Sequence, residues 1–239
     1  MLVDKNFYLP AFKVQVCTLS ADNFKCWQHC GLLIIAPIMA TTTQLVCGKD
    51  ADFDFTPDAI TASQEAIREL VECLKPDHPR TFKMYGRCCT MQRNQRYYST
   101  NPKAVPYKFS QNEFLPHKVL PGSLVGMCIQ HANTASGGAG YNAALVNFYS
   151  NGSKYISPHS DDGEPAPIFT YSFGATRPFQ IRWKGKGKPE EFKRLSVLLP
   201  SGSCAVMRGA DFQTHFTHGI PATRKEMGWR ISITVRTHF

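Results

Sequence analysis

Between Thr61 and Lys75 apolar residues recur at helical spacing, with Ile67, Leu70, Val71 and Leu74 on one stripe. Thr61-x-x-Gln64 has the form of a capping box and Pro76 ends the pattern, so a helix is predicted over 61–75. Downstream the period changes. Ala143 to Tyr149, Ile168 to Phe173, Phe179 to Trp183, Arg194 to Leu199, Cys204 to Arg208 and Arg230 to Thr237 are short and rich in aliphatic and aromatic residues. Gly, Pro or Ser bounds them, which is the signature of strands. Upstream the pattern is weaker. Phe12 to Val16 alternates loosely like a strand, and Thr41-Thr42-Thr43 and Cys47-Gly48-Lys49-Asp50 read as loop. The apolar run Gly31 to Ala40 is too short to span a bilayer and contains Pro37, so it reads as a buried strand or turn. The expected organisation is an N-terminal extension over 1–50 and one domain over 51–239. Many short strands after an early helix predict an α+β, mainly β fold, a β-sandwich or jelly roll with supporting helices.

The last strand carries the first chemical information. In Arg230-Ile231-Ser232-Ile233-Thr234-Val235-Arg236 the odd positions are aliphatic and the even ones polar. Side chains two apart share a face, so Arg230, Ser232, Thr234 and Arg236 face a common cavity while Ile231, Ile233 and Val235 pack in the core. Inward guanidinium groups are costly without anions, and their forked geometry matches carboxylates. By the same alternation Asn147 and Tyr149 share a face, and an amide and a phenol can both hydrogen-bond a carboxylate or keto oxygen. In His159-Ser160-Asp161 the imidazole and the carboxylate point one way and Ser160 the other, while Asp162 is a competing carboxylate on the opposite side. Spacing leaves His215 and His218 both open as the third ligand. Two imidazoles and one carboxylate on one face of a metal are the arrangement of non-haem iron(II) oxygenases. Zinc accepts the same donors. A zinc hydrolase leaves the inward arginines unexplained, and a general base at metalloprotease spacing is missing.

Composition adds bounds. With 239 residues and 43% hydrophobic content the chain can bury a sizeable core. The net charge of +9 suits an acidic partner such as nucleic acid. Nine cysteines, an odd number with no signal peptide ahead of them, point to reduced thiols in an intracellular compartment. Cys26-x-x-x-Cys30, with His29 between, lacks the second ligand pair of a structural zinc site.

Taken in order, Asn147-Phe148-Tyr149, Gly152, Ile156, His159-Ser160-Asp161-Asp162, Ser172-Phe173-Gly174-Ala175, His218 and Arg230 through Arg236 resemble the AlkB family of iron(II)/2-oxoglutarate dioxygenases, its eukaryotic nucleic-acid repair branch above all. The resemblance covers about residues 80–239. It implies a double-stranded β-helix (jelly roll), Fe(II) held by His159, Asp161 and His218, and 2-oxoglutarate held by Asn147, Tyr149, Arg230 and Arg236. It further implies use of O2 and oxidative demethylation of N-alkylated bases in DNA or RNA, releasing formaldehyde, succinate and CO2, by a monomer with no membrane attachment. Pro106-Tyr107-Lys108-Phe109-Ser110 resembles the family's base-binding stretch, which assigns Tyr107 and Phe109 to the base, with Phe109 stacking it against His159. Tyr85-Gly86-Arg87 and Arg93-Asn94-Gln95 resemble its recognition lid, placed at about 80–115. Tyr85, Arg87, Arg93 and Gln95 therefore join the substrate contacts, with Asp162 beside the metal. Phosphates would fall to Arg87, Arg93, Arg96, Arg177, Lys184, Lys186 and Lys188. Two positions depart from the family pattern. Gly163, followed by Glu164, stands where relatives often carry an acidic residue, and Ser232 stands where many have Asn. The alternative is a dioxygenase of the same fold acting on a protein or lipid, which would use the same metal and co-substrate residues. A non-catalytic nucleic-acid-binding module is disfavoured by the intact ligand set.

Overall fold

The computed structural model describes residues 43–48, 51–84, 86–101, 103–161, 167–185 and 195–238. An antiparallel pair, β1 (Thr43–Gly48) and β2 (Ala51–Thr56), precedes helix α1 (Gln64–Leu74). The pair β3 (Thr81–Met84) and β4 (Arg87–Thr90) is followed by β5 (Asn94–Ser99), the small hairpin β6 (Tyr107–Phe109) and β7 (Asn112–Phe114), and β8 (Pro116–Lys118). After α2 (Leu124–Ala135) come β9 (Ala143–Tyr149), β10 (Ile156–His159), β11 (Ile168–Gly174), β12 (Arg177–Trp183), β13 (Leu195–Leu199) and β14 (Ser203–Arg208). Helix α3 (Ala210–His215), β15 (Phe216–Ile220) and β16 (Arg230–Arg236) complete the order.

Two sheets face each other as in a jelly roll. The major sheet runs β1-β2-β14-β11-β16-β9-β5-β8 and the minor one β10-β15-β12-β13. All these pairings are antiparallel except β5 with β8. Ile231, Ile233 and Val235 of β16 pack with Val146 and Phe148 of β9 against Leu70, Leu74, Val125 and Ile129 of the helices. Each fully buried aliphatic side chain there stabilises the fold by about 1.5–3 kcal/mol. A second cluster, including Phe53, Ile168, Phe179, Ile181 and Phe216, fills the space between the sheets. The polar positions of β16 and β9 are left facing that inter-sheet space.

The six predicted strands are present with ends shifted by at most two residues. The helix stripe Ile67, Leu70, Val71 and Leu74 is buried as expected, but the cap differs: Ser63 Oγ, and not Thr61, accepts from Ala66 N–H at 3.1 Å. Thr43 and Cys47–Gly48, read as loop, lie in β1, which pairs through β2 with β14. β5, inside the expected lid stretch, pairs with β9 in the major sheet, whereas β3–β4 and β6–β7 form two-stranded sheets of their own. Helix α2 was not anticipated. Ser123 Oγ caps it at Gly126 N–H, and Leu124, Val125, Cys128, Ile129 and Ala132 are its buried face. The expectations for Phe12–Val16, Cys26–Cys30, Gly31–Ala40, Thr41–Thr42 and Lys49–Asp50 lie outside the described residues.

Candidate metal centre and its cavity

Strand register brings the histidines together. In the β10–β15 pair His159 stands opposite His218, and their ring centroids are 4.4 Å apart. The close approach depends on Gly219. A Cβ there would come within 2.8 Å of Ile156 O and 3.1 Å of Pro158 N, both backbone atoms of the β10 segment. Asp161, two residues beyond His159, places Oδ1 3.8 Å from His159 Nε2 and Oδ2 3.5 Å from His218 Nε2. Among the described residues these three form the one His/Cys/Asp/Glu group whose ligand atoms lie within 4.8 Å of one another.

The protonation states suit a cation. His159 Nδ1 is 2.9 Å from Ser157 O; a carbonyl only accepts, so Nδ1 carries the proton and the Nε2 lone pair is free for a metal. Burial pushes His218 down to about 3, against the opposing pull of Asp161, and lowers His159 as well. Both imidazoles are thus neutral, as ligands must be. Burial tends to raise the Asp161 carboxyl, but Arg236 and the two imidazoles outweigh it and hold it at about 2. Asp161 Oδ2 and His218 Nδ1 are buried without a hydrogen-bond partner among the described residues. Two neutral imidazoles and an ionised carboxylate converging on one point fit a divalent ion with open positions opposite.

The floor of the cavity comes from β9 and β16, in register Arg230 with Tyr149 and Ser232 with Asn147. Arg236 Nη2 lies 3.2 Å from Asp161 Oδ1. Arg230 is fully buried. Its Nε donates to Ser172 Oγ at 2.9 Å, and its guanidinium lies 5.4 Å from the Tyr149 ring centroid. Nη1 and Nη2 have no hydrogen-bond partner among the described residues, and burial lowers the group to about 10. Two sealed, unmatched donors on a cation call for an anion, and a dicarboxylate reaching from the metal would supply one. Asn147 Oδ1 accepts from both Arg93 Nε (2.9 Å) and Gln95 Nε2 (2.7 Å). Its carbonyl is thereby occupied and its NH2 is left to donate into the cavity.

The cavity measures about 350 Å³ and is walled by Tyr107, Phe109, Arg93, Gln95 and Tyr149, with the His–Asp–His group in its side and Ser232, Thr234 and Arg236 beneath. That volume lies in the usual range for small-ligand sites, roughly 300–1,000 Å³. His159, Asp161, His218, Asn147, Tyr149, Arg236, Tyr107, Phe109, Arg93 and Gln95 thus gather at one cavity. Arg230 sits behind its floor, and Arg87 is exposed on the β3–β4 pair outside it. His215 is elsewhere, stacked on Trp183 at 5.1 Å and 3.7 Å from Asp211 Oδ1. Four basic residues expected at phosphates have other roles, the first being Arg93, which walls the cavity and donates to Asn147 Oδ1. Arg177 is fully buried and donates to the carbonyls of Asn151, Lys154 and Pro221. Arg96 is paired with Asp77 at 2.6 and 2.9 Å. Lys184 donates to Ser160 Oγ and Gln213 O. Tyr85, Asp162, Gly163, Glu164, Lys186 and Lys188 lie outside the described residues. Gln213, whose Oε1 accepts from Asp161 N–H at 2.9 Å, carried no sequence signal. A glutamine 52 residues from its partner reads as surface.

Comparison with known proteins agrees with this geometry. The 2OG-Fe(II) oxygenase superfamily profile matches residues 54–236. DNA oxidative demethylase ALKBH2 of Arabidopsis thaliana is 29% identical over 193 residues, covering 65% of this chain and 56% of the relative. The Homo sapiens protein of that name is 27% identical over 161 residues, covering 64% and 59%. Human alpha-ketoglutarate-dependent dioxygenase alkB homolog 3 is 34% identical over 147 residues, covering 56% and 48%. The chain therefore spans less than two thirds of these relatives' own lengths. The solved structure of OsALKBH1 superposes with a TM-score of 0.53 at 14% identity, over 77% of this chain and 97% of that one, a likeness of fold. On the superfamily match and these relatives, the chain belongs to the AlkB family of the 2OG-Fe(II) oxygenase superfamily.

Proposed function

We propose that this protein carries out Fe(II)- and 2-oxoglutarate-dependent oxidative demethylation of N-alkylated bases in DNA or RNA. One observation carries the reading. The His159–Asp161–His218 group lies in the side of an aromatic-walled cavity, and Arg230, with its unmatched donors, stands on the same face of β16 as Ser232, Thr234 and Arg236 in the cavity floor. When bound, iron and 2-oxoglutarate together reduce dioxygen and supply the oxidant that hydroxylates an N-methyl carbon, after which formaldehyde leaves and succinate and CO2 remain from the co-substrate.

The chain supplies placement. His159 Nε2, Asp161 and His218 Nε2 hold the iron. Arg230 and Tyr149 hold one end of the diacid, and Arg236 and the Asn147 amide orient the rest. A stacked base cannot reach so deep a metal, so the target nucleotide is flipped out or single-stranded. Phe109, 36% exposed at the cavity wall and in ring contact with Phe82 at 5.6 Å, offers a stacking face opposite His159. Tyr107 lies beside it. Gln95 Oε1 is buried without a hydrogen-bond partner among the described residues and can accept from an exocyclic amine. Arg87, exposed on β4, would meet a phosphate, and Tyr85 and Asp162 complete the proposed substrate contacts. An intracellular setting and a monomer form part of the same reading. Cys73, Cys88, Cys89, Cys128 and Cys204 are free, and no described helix is long and apolar enough to cross a membrane.

The test is succinate and formaldehyde release over a panel of methylated DNA and RNA oligomers, with methylated peptides as controls. We expect turnover on oligonucleotides and its loss in His159→Ala and Asp161→Ala while circular dichroism stays native. Full turnover in either variant, or turnover on peptides alone, would overturn the reading.

A further inference from the structure

Asp161 lies just past the end of β10, so its carboxylate is only as fixed as the backbone that carries it. Three side chains fix that backbone. Gln213 of α3 accepts from Asp161 N–H through Oε1 at 2.9 Å, while its Nε2 contacts Met207 Sδ at 3.6 Å and so sets which way the amide faces. Ser160 Oγ, between the two ligands, donates to Phe216 O at 2.8 Å and so ties the β10 end to the start of β15. Lys184 closes the ring. Its Nζ donates to Ser160 Oγ at 2.8 Å and to Gln213 O at 2.7 Å, and its own N–H donates to His215 O at 2.8 Å.

We propose that Lys184, Ser160 and Gln213 form a clasp that positions Asp161 for metal binding, with the Lys184 ammonium as its node. The inference rests on the metal reading above. The need for a clasp is visible on the other side of the carboxylate, where Arg236 Nη2 stands 3.2 Å from Asp161 Oδ1. That guanidinium competes with any metal for the same oxygen. Holding the Asp161 peptide from behind limits how far the side chain can turn toward the arginine. Lys184 is exposed yet spends two of its three donors on one serine and one carbonyl; this is the geometry of a strut between strand end and helix end. These are positioning residues, since none touches the metal point itself.

The test measures Mn(II) binding to the full chain by equilibrium dialysis, without co-substrate, beside thermal melting in EDTA and binding of an unmethylated oligonucleotide. Lys184→Met and Gln213→Ala are expected to weaken Mn(II) binding about 10-fold or more, as loss of outer contacts to ligands does. The metal-free melting temperature should stay unchanged, and Lys184→Arg should restore most of the affinity. Mn(II) affinity unchanged in both variants would overturn the clasp. So would an equal loss of metal-free stability, which marks a purely structural role, or weakened oligonucleotide binding with intact Mn(II) affinity, which marks Lys184 as a phosphate contact. His218→Ala separates the two levels. If it too leaves Mn(II) affinity intact, the metal reading itself has failed and the clasp with it.

Discussion

Arg230 is sealed from solvent beside the Tyr149 ring; its Nε donates to Ser172 Oγ, and among the described residues its two terminal guanidinium nitrogens have no hydrogen-bond partner. Hydrogen bonds to charged groups contribute about 1.5–3 kcal/mol each, so the lost clamp should be costly to binding while its absence relieves an uncompensated buried charge. Arg230→Met is therefore expected to raise the 2-oxoglutarate requirement about 10- to 100-fold, with the metal-free protein at least as resistant to urea as the parent. An unchanged requirement in a co-substrate titration would place the clamp elsewhere. This residue was legible in the sequence because β16 alternates without a break, so Arg230 and Arg236 could be put on one face. His159 and Asp161 were legible by another route, through their two-residue spacing and the company of the downstream motifs. Arg177 was not. Nothing in its neighbours distinguishes an arginine donating to three backbone carbonyls from one facing water. Cysteines repeat the lesson. Burial raises the thiols of Cys128 and Cys204, the latter to about 12, whereas Cys73 and Cys88 are exposed. Alkylation under native conditions should modify Cys73 and Cys88 and spare Cys128 and Cys204, as peptide mass mapping would record.

At the scale of elements, the pairing of β10 with β15 sets the approach of His159 to His218, and Gly219 sets the pairing. A side chain there has backbone atoms of the β10 segment against it, which cannot move aside as a flexible side chain would. Gly219→Val should push β10 away from β15, separate His159 from His218 and weaken Mn(II) binding by at least 10-fold, within the range typical of disturbed ligand support. Affinity equal to the parent would show that the strands tolerate the wider spacing. Strands such as β9 and β11 were readable because they are almost wholly buried and rich in apolar residues, and β16 because its aliphatic and polar residues alternate throughout. β10 and β15, Ile-Ser-Pro-His and Phe-Thr-His-Gly-Ile, were not, because ligands, a proline and the spacing glycine occupy the positions that would have carried the pattern. Helix α2 was hidden differently. Leu124, Val125, Cys128, Ile129 and Ala132 keep helical spacing, but Gly126, Met127 and Ala135 off that stripe are not polar, so the contrast between the two faces is weak. Helix α1 was found, yet its start was misplaced because Thr61-x-x-Gln64 satisfies the capping-box pattern as well as Ser63 satisfies the geometry.

Over the whole molecule the proposed function raises the question of how a site between two sheets would grip a polyanion. The chain carries a net charge of +9, but several of its cations are committed internally. Arg177 is buried, Arg96 is paired with Asp77, Arg208 is paired with Asp54, and Lys184 spans Ser160 and Gln213. The β3–β4 pair is placed differently. Phe82 and Cys89 line the cavity, while Lys83 and Arg87 are exposed on the same two strands. A backbone entering the cavity mouth would pass these two charges. If each meets a phosphate, the logarithm of affinity for a single strand should fall with the logarithm of salt concentration, with about 0.7 of the slope owed to each contact. Lys83→Ala and Arg87→Ala should each flatten the slope by about that amount and lower affinity with little regard to sequence. Succinate formed without nucleic acid should stay at the parent level, because neither residue lines the site. A slope unchanged by both substitutions would move the nucleic-acid path to another face of the protein.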